Sequence, residues 1–164
     1  MWPGEFRLDG EPTLRPGETD RVTDGVRLSR RYVYTVDRIE KVTDGDTYWL
    51  HLDVGFRQTM LAHLRLYGWD TPEINRGTVF EKSEARRAGA VAALFLTTAL
   101  AGEETVWVRT ERDPDNFGRW LGEVWAEAPD GAVTTLGDLL HEARLASAWP
   151  TRWREEFDTT IPDN

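Results

Sequence analysis

The sequence predicts a domain of the α+β class, mainly β, in which a small closed or half-closed barrel has helices packed against it. Three observations carry this. Five segments between residues 31 and 127 have the alternation or the β-branched and aromatic richness of strands. Two segments have helical periodicity. The order is three strands, a helix, two strands and a helix, for which a five-stranded oligonucleotide-binding barrel is one solution. Strand order is not readable from this pattern. A chain of 164 residues with 40% apolar side chains suits one domain and one core.

Each element has its own warrant. Residues 1–30 hold Pro3, Pro12 and Pro16 with Gly4, Gly10, Gly17 and Gly25, and read as an irregular extension with a candidate edge strand at Val26-Arg-Leu-Ser. Tyr32 to Ile39 is the first strand, and Thr43-Asp-Gly-Asp a turn. Thr47 to Val54 and Gln58 to Tyr67 are the second and third strands around a turn at Gly55. Residues 70–80, with Pro72 and Gly77, are a loop. Glu81 to Leu100 is a helix, because Ala85, Ala88, Ala92, Leu96 and Ala99 recur every three or four residues and Gly102 suits a C-terminal cap. Thr105 to Thr110 and Arg119 to Glu127 are the last strands. Thr135 to Leu145 is an amphipathic helix with Leu136, Leu139, Leu140, Ala143 and Leu145 toward the core. The domain proper is 31–149, and 150–164 reads as a loosely packed polar tail.

Composition narrows the function. With no cysteine, a disulfide scaffold, a thiolate zinc site and a cysteine nucleophile are excluded. The start lacks a basic segment followed by an apolar one, and no apolar run is long enough for a membrane span, so an intracellular, membrane-free protein is expected. The net charge is −9, which argues against a nonspecific nucleic-acid coat. The charge is uneven, however. Residues 26–119 carry 14 basic and 14 acidic side chains, whereas 120–164 carry 3 and 9.

Three charged segments lie at strand ends and loops, where sites gather. Asp44-Gly-Asp46-Thr can present carboxylate oxygens to a hard cation, although alone it is also a common hairpin turn. In Arg65-Leu-Tyr-Gly-Trp-Asp-Thr-Pro-Glu73, an arginine on a strand precedes Asp70 at its end and Glu73 in a turn stiffened by Pro72. Asp115-Asn-Phe-Gly-Arg119 places an arginine at the opening of a strand. Carboxylates for a metal, one for a base and two arginines form an inventory for phosphodiester hydrolysis.

Asp-Gly-Asp-Thr, then Arg-x-x-x-x-Asp-Thr-Pro-Glu, then Gly-Arg at the fifth strand resembles the pattern of the staphylococcal nuclease (thermonuclease) family over roughly residues 31–149. Ser83-Glu-Ala85 at the long helix and Leu145-Ala146 after the last one fit as well. The resemblance implies a five-stranded OB-fold barrel with packed helices. It implies a calcium-dependent endonuclease that hydrolyses DNA, single strands by preference, with RNA as a further substrate, and leaves a 3′-phosphate. On that basis Asp46, Asp70 and the carbonyl of Thr71 are the expected Ca²⁺ ligands, with Asp44 acting through water. Arg65 and Arg119 are the expected phosphate clamps and Glu73 the general base. The family's Lys-Tyr pair before the last Gly-Arg is replaced by Asn116 and Phe117, which with Trp149 are the expected substrate-binding residues. A monomer is expected. The competing expectation is a catalytically weak or inactive barrel that binds nucleic acid or protein.

The remaining histidines and tryptophans have plainer readings. His51 is expected to be an exposed strand residue, His141 to lie on the polar side of a helix, and His63 to have no zinc role. Trp107 and Trp125 are expected in the core. Trp69 and Trp120 either wall the site or plug the barrel, and Trp153 belongs to the loose tail.

Overall fold

The computed structural model describes residues 32–158 and, before them, 22–23 and 26–27. Strands β1 (Val22–Thr23) and β2 (Val26–Arg27) pair antiparallel, so the expected edge strand is present at Val26–Arg27. Its other residues, with the rest of the expected irregular extension, lie outside the described residues.

Strands β3 (Val33–Val42), β4 (Thr47–Gly55) and β5 (Gln58–Leu66) form an antiparallel meander. Strand β7 (Thr105–Thr110) pairs with β3, and β8 (Trp120–Glu127) pairs with β7. A parallel pairing of β5 with β8, Leu64 opposite Trp120 and Leu66 opposite Gly122, closes the barrel. This is an OB-fold-like α+β domain with five barrel strands and packed helices. Strand β9 (Val133–Thr135) adds to the far edge of β8.

Alternation decides which side chains fill the barrel. Tyr48, Leu50 and Leu52 of β4 and Ala62, Leu64 and Leu66 of β5 are buried, while Trp49, His51, His63 and Arg65 take the other face. Closure needs Gly122, where a Cβ would stand 2.7 Å from a Leu64 methyl. Trp107 and Trp125 are buried, as expected, and face each other at 6.5 Å. Between the same strands lies a pair the sequence did not announce: Arg109, 1% exposed, and Glu123, joined by a charge-assisted hydrogen bond.

Helix α1 (Val79–Ala101) starts two residues before the expected Glu81, because the Thr78 hydroxyl caps it by accepting from the Glu81 N–H. Its expected small-residue stripe, Ala85 to Ala99, is buried. Those small side chains let the helix approach the Asp44–Asp46 turn. A Cβ on Gly45 would stand 2.7 Å from the Ala88 Cβ, so this glycine serves close packing. Helix α2 (Leu136–Glu142) is shorter than expected and ends where Arg144 turns left-handed at φ 61°. Trp69 packs against α2, since a Cβ on Gly137 would lie 1.8 Å from the Trp69 Nε1.

The expectation of a loose tail fails from residue 150 to residue 158. Strand β10 (Ser147–Ala148) pairs with β6 (Trp69–Asp70), and helix α3 (Trp153–Phe157) follows. Trp153 is 1% exposed, between Phe80 and Phe157, with Nε1 donating to the Arg144 carbonyl at 2.9 Å. No helix among the described residues is long and apolar enough to cross a membrane.

Candidate functional site

The expected site residues occupy one region of the barrel. Asp44 and Asp46 lie in the β3–β4 turn, Arg65 at the end of β5, Asp70 to Glu73 beyond it, and Asp115 to Arg119 in the loop entering β8. Oligonucleotide-binding barrels use this face, their second and third strands with the two flanking loops.

Asp46 is the centre of the first group. It is 2% exposed, its Oδ2 meets Arg65 Nη1 at 2.6 Å, and its Oδ1 accepts from the Thr47 hydroxyl at 3.0 Å. Its N–H donates to Asp44 Oδ1 at 3.2 Å, and Thr71, also buried, packs on the same turn, its side chain 3.2 Å from where a Gly45 Cβ would stand. Burial pushes the Asp46 carboxyl up to about 6; Arg65 pulls it down, and Asp44 adds to the rise. Tyr48 closes the floor, its hydroxyl donating to the Gly45 carbonyl while burial drives it well above the ordinary phenol value.

Arg119 is the centre of the second group. Its Nε and Nη2 meet Asp115 Oδ2 at 3.0 and 2.9 Å, and its guanidinium carbon lies 5.2 Å from the ring centre of Phe117. Burial tends to raise the Asp115 carboxyl, but the N–H groups of Arg119 and Phe117 and the guanidinium hold it below the ordinary range. Phe117 is 81% exposed and Asn116 is exposed beside it.

Asp70 and Glu73 belong to a third group that the sequence did not show. Asp70 Oδ1 accepts from Arg152 Nη1 at 3.0 Å, and Oδ2 from the Trp153 N–H at 2.8 Å. Arg152 in turn lies 4.3 Å above the ring of Trp149, so this guanidinium already covers one face of the expected stacking residue. The Glu73 side chain is exposed, and its N–H donates to Glu81 Oε1 at 3.1 Å. Glu81, 2% exposed, also accepts from Arg154 Nη2 at 2.8 Å. Segment 152–158 thus straps the Asp70–Glu81 loop at Asp70 and Glu81, and at Thr78 through Asp158. The sequence signal available was Arg152-Trp-Arg154, a basic and aromatic run in an acidic end.

These residues do not fit a calcium ion as they are folded. Both oxygens of Asp70 are engaged by the strap and both of Asp46 by Arg65 and Thr47. Among the described residues, no three His, Asp or Glu side chains converge to hold a metal.

One further expectation is corrected, and one open alternative is resolved. His51 is not an exposed strand residue: its side chain is 13% exposed, with Nε2 2.9 Å from Glu40, because Arg38 and Glu40 of β3 flank it. Trp69 is a plug against α2, whereas Trp120 is half-buried and faces the core. His141 is exposed on α2, as expected.

The fold and these positions define the class: an OB-fold-like barrel with a charged site on its second-and-third-strand face. No model of a known protein family matches the chain, and no curated protein does.

The raised Asp46 carboxyl makes a stability prediction. Its folded value of about 6 lies above its ordinary 3.8, so the folded state holds this proton more tightly. The contribution is full below the ordinary value and is lost as pH rises through about 6. Relative to Asp46→Asn, the parent should therefore lose about 2 kcal/mol between roughly pH 4 and pH 7. Urea unfolding of both proteins across that range measures it, and a pH-independent difference contradicts it.

Proposed function

We propose that this protein is a phosphodiester hydrolase, a nuclease acting on DNA, single strands by preference, with RNA as a further substrate. The observation that carries the reading is the state of the two arginines. Arg65 meets Asp46 through Nη1, and its Nε and Nη2 have no partner among the described residues. Arg119 gives Nε and Nη2 to Asp115 and keeps Nη1. Each guanidinium is held by one carboxylate and retains donors for phosphate oxygens. Donors fixed before the reaction favour the charge that grows on the phosphoryl oxygens in the transition state. Glu73, exposed on a backbone fixed by Glu81, supplies the carboxylate that takes a proton from water. Calcium enters this proposal only with Asp70 released from Arg152 and Trp153, and no step is assigned to it.

The engagement of Asp70 favours a second reading, a barrel that binds nucleic acid or protein without cleaving. Incubation with heat-denatured DNA in Ca²⁺, in Mg²⁺ or in chelator, followed by gel analysis, separates the two. The hydrolase should cut in Ca²⁺ and more slowly in Mg²⁺, which surrenders water reluctantly and demands a tighter geometry. A strand bound but left intact under every condition supports the binding module.

A further inference from the structure

The outer face of the barrel carries a line of side chains that the site described above leaves unused except at one end. Lys41 of β3 is in register with Trp49 of β4, and Trp49 with His63 of β5. Arg119 stands one residue before Trp120, the partner of Leu64, and so beside His63, where its charge reaches the imidazole. Neighbours in register share a face of the sheet, so four barrel strands or strand ends contribute one row. The rings of Trp49 and His63 lie parallel, 6° apart in plane, with centroids 4.1 Å apart. Trp49 and His63 are partly buried and Lys41 is exposed, so the stack lies at the edge of solvent.

We infer that the row Lys41–Trp49–His63–Arg119 is a track for single-stranded nucleic acid, with a base stacked on the Trp49–His63 pair and phosphates at the two cationic ends. Aromatic faces accept any base, and flanking cations neutralise the backbone, which is how sequence-tolerant single-strand binding is built. The acidic surplus of the chain lies outside this stretch, since residues 26–119 are balanced at 14 charges of each sign. Burial and the Arg119 charge hold the His63 imidazole below its ordinary value, which keeps the ring neutral and suited to stacking near pH 7. The choice of occupant rests on the proposed nuclease reading. With Arg119 on the reacting phosphate, the track adds to it the means by which the neighbouring base, on Trp49 and His63, and the phosphate beyond it, at Lys41, are held.

The test is anisotropy of a labelled ten-residue oligothymidine in chelator, where cleavage is suppressed, across a range of salt. Trp49→Ala should weaken binding about tenfold, in line with one lost base stack, and Trp49→Phe should restore most of it. Lys41→Gln, an exposed change with no cost to the fold, should lower the slope of log affinity against log salt by about 0.7. Parental binding by Trp49→Ala, an unchanged salt slope for Lys41→Gln, or a parent that ignores single strands each overturns the track; the last leaves the face to a protein partner. A parallel cleavage assay keeps the two proposals apart. A parent that binds through this row and never cuts leaves the track standing and removes the nuclease, while a parent that cuts with Trp49→Ala unimpaired does the reverse.

Discussion

Trp153→Ala should lower the unfolding free energy by about 3–5 kcal/mol, the range for truncating a fully buried large aromatic. The indole is 1% exposed and fills the space between Phe80 of α1 and Phe157 of α3. Its Nε1 also satisfies the Arg144 carbonyl, at the left-handed residue that ends α2. Truncation removes the packing and that hydrogen bond together, and α3 has only five residues with which to hold itself. The strap should therefore detach before the barrel unfolds, which loosens the Arg152 and Arg154 contacts to Asp70 and Glu81. Urea unfolding gives the free energy, and hydrogen exchange over 147–158 gives the order of events. A loss under about 1 kcal/mol means that the indole is not a core residue.

On the proposed hydrolase reading, Arg65→Lys should reduce turnover on denatured DNA at least about tenfold, equivalent to about 1.4 kcal/mol of transition-state stabilisation. Lysine keeps the charge that Asp46 needs, so the fold should survive. It lacks the planar fork, whose Nε and Nη2 edge is the part left for phosphate. Arg65→Ala is harsher. It removes the cation that keeps Asp46, 2% exposed, ionised, so the carboxyl must take up a proton or stay buried as an unpaired charge, which costs stability as well as activity. Comparing the two separates clamping from charge balance. Near-parental turnover for Arg65→Lys makes Arg65 a structural counter-ion of Asp46, with no hold on substrate.

Local periodicity accounts for the parts that a single strand or helix encodes. Alternation over Thr47–Val54 sent Tyr48, Leu50 and Leu52 inward, and the three- or four-residue spacing of Ala85 to Ala99 made the buried face of α1. The charged motifs singled out Asp44, Asp46, Arg65, Asp70, Glu73 and Arg119 as candidates, but Arg65 stands beside the Asp44–Asp46 turn only because the β4–β5 register sets it opposite Thr47. Contacts between residues far apart in the chain arise from packing alone. Closure by β5 and β8 is a parallel pairing over about fifty residues, and no local pattern encodes a partner. Asp70 meets Arg152 and Trp153 more than eighty residues away, so the strap that turns an expected metal ligand into an acceptor for the C-terminal segment had no signature beyond an isolated Arg-Trp-Arg. The buried Arg109–Glu123 pair reads in sequence as two ordinary strand charges, and becomes an interior ion pair only because register sets the two residues opposite each other. Side-chain period is a property of one strand or one helix. Burial of a charge and the identity of its partner are properties of the packed whole.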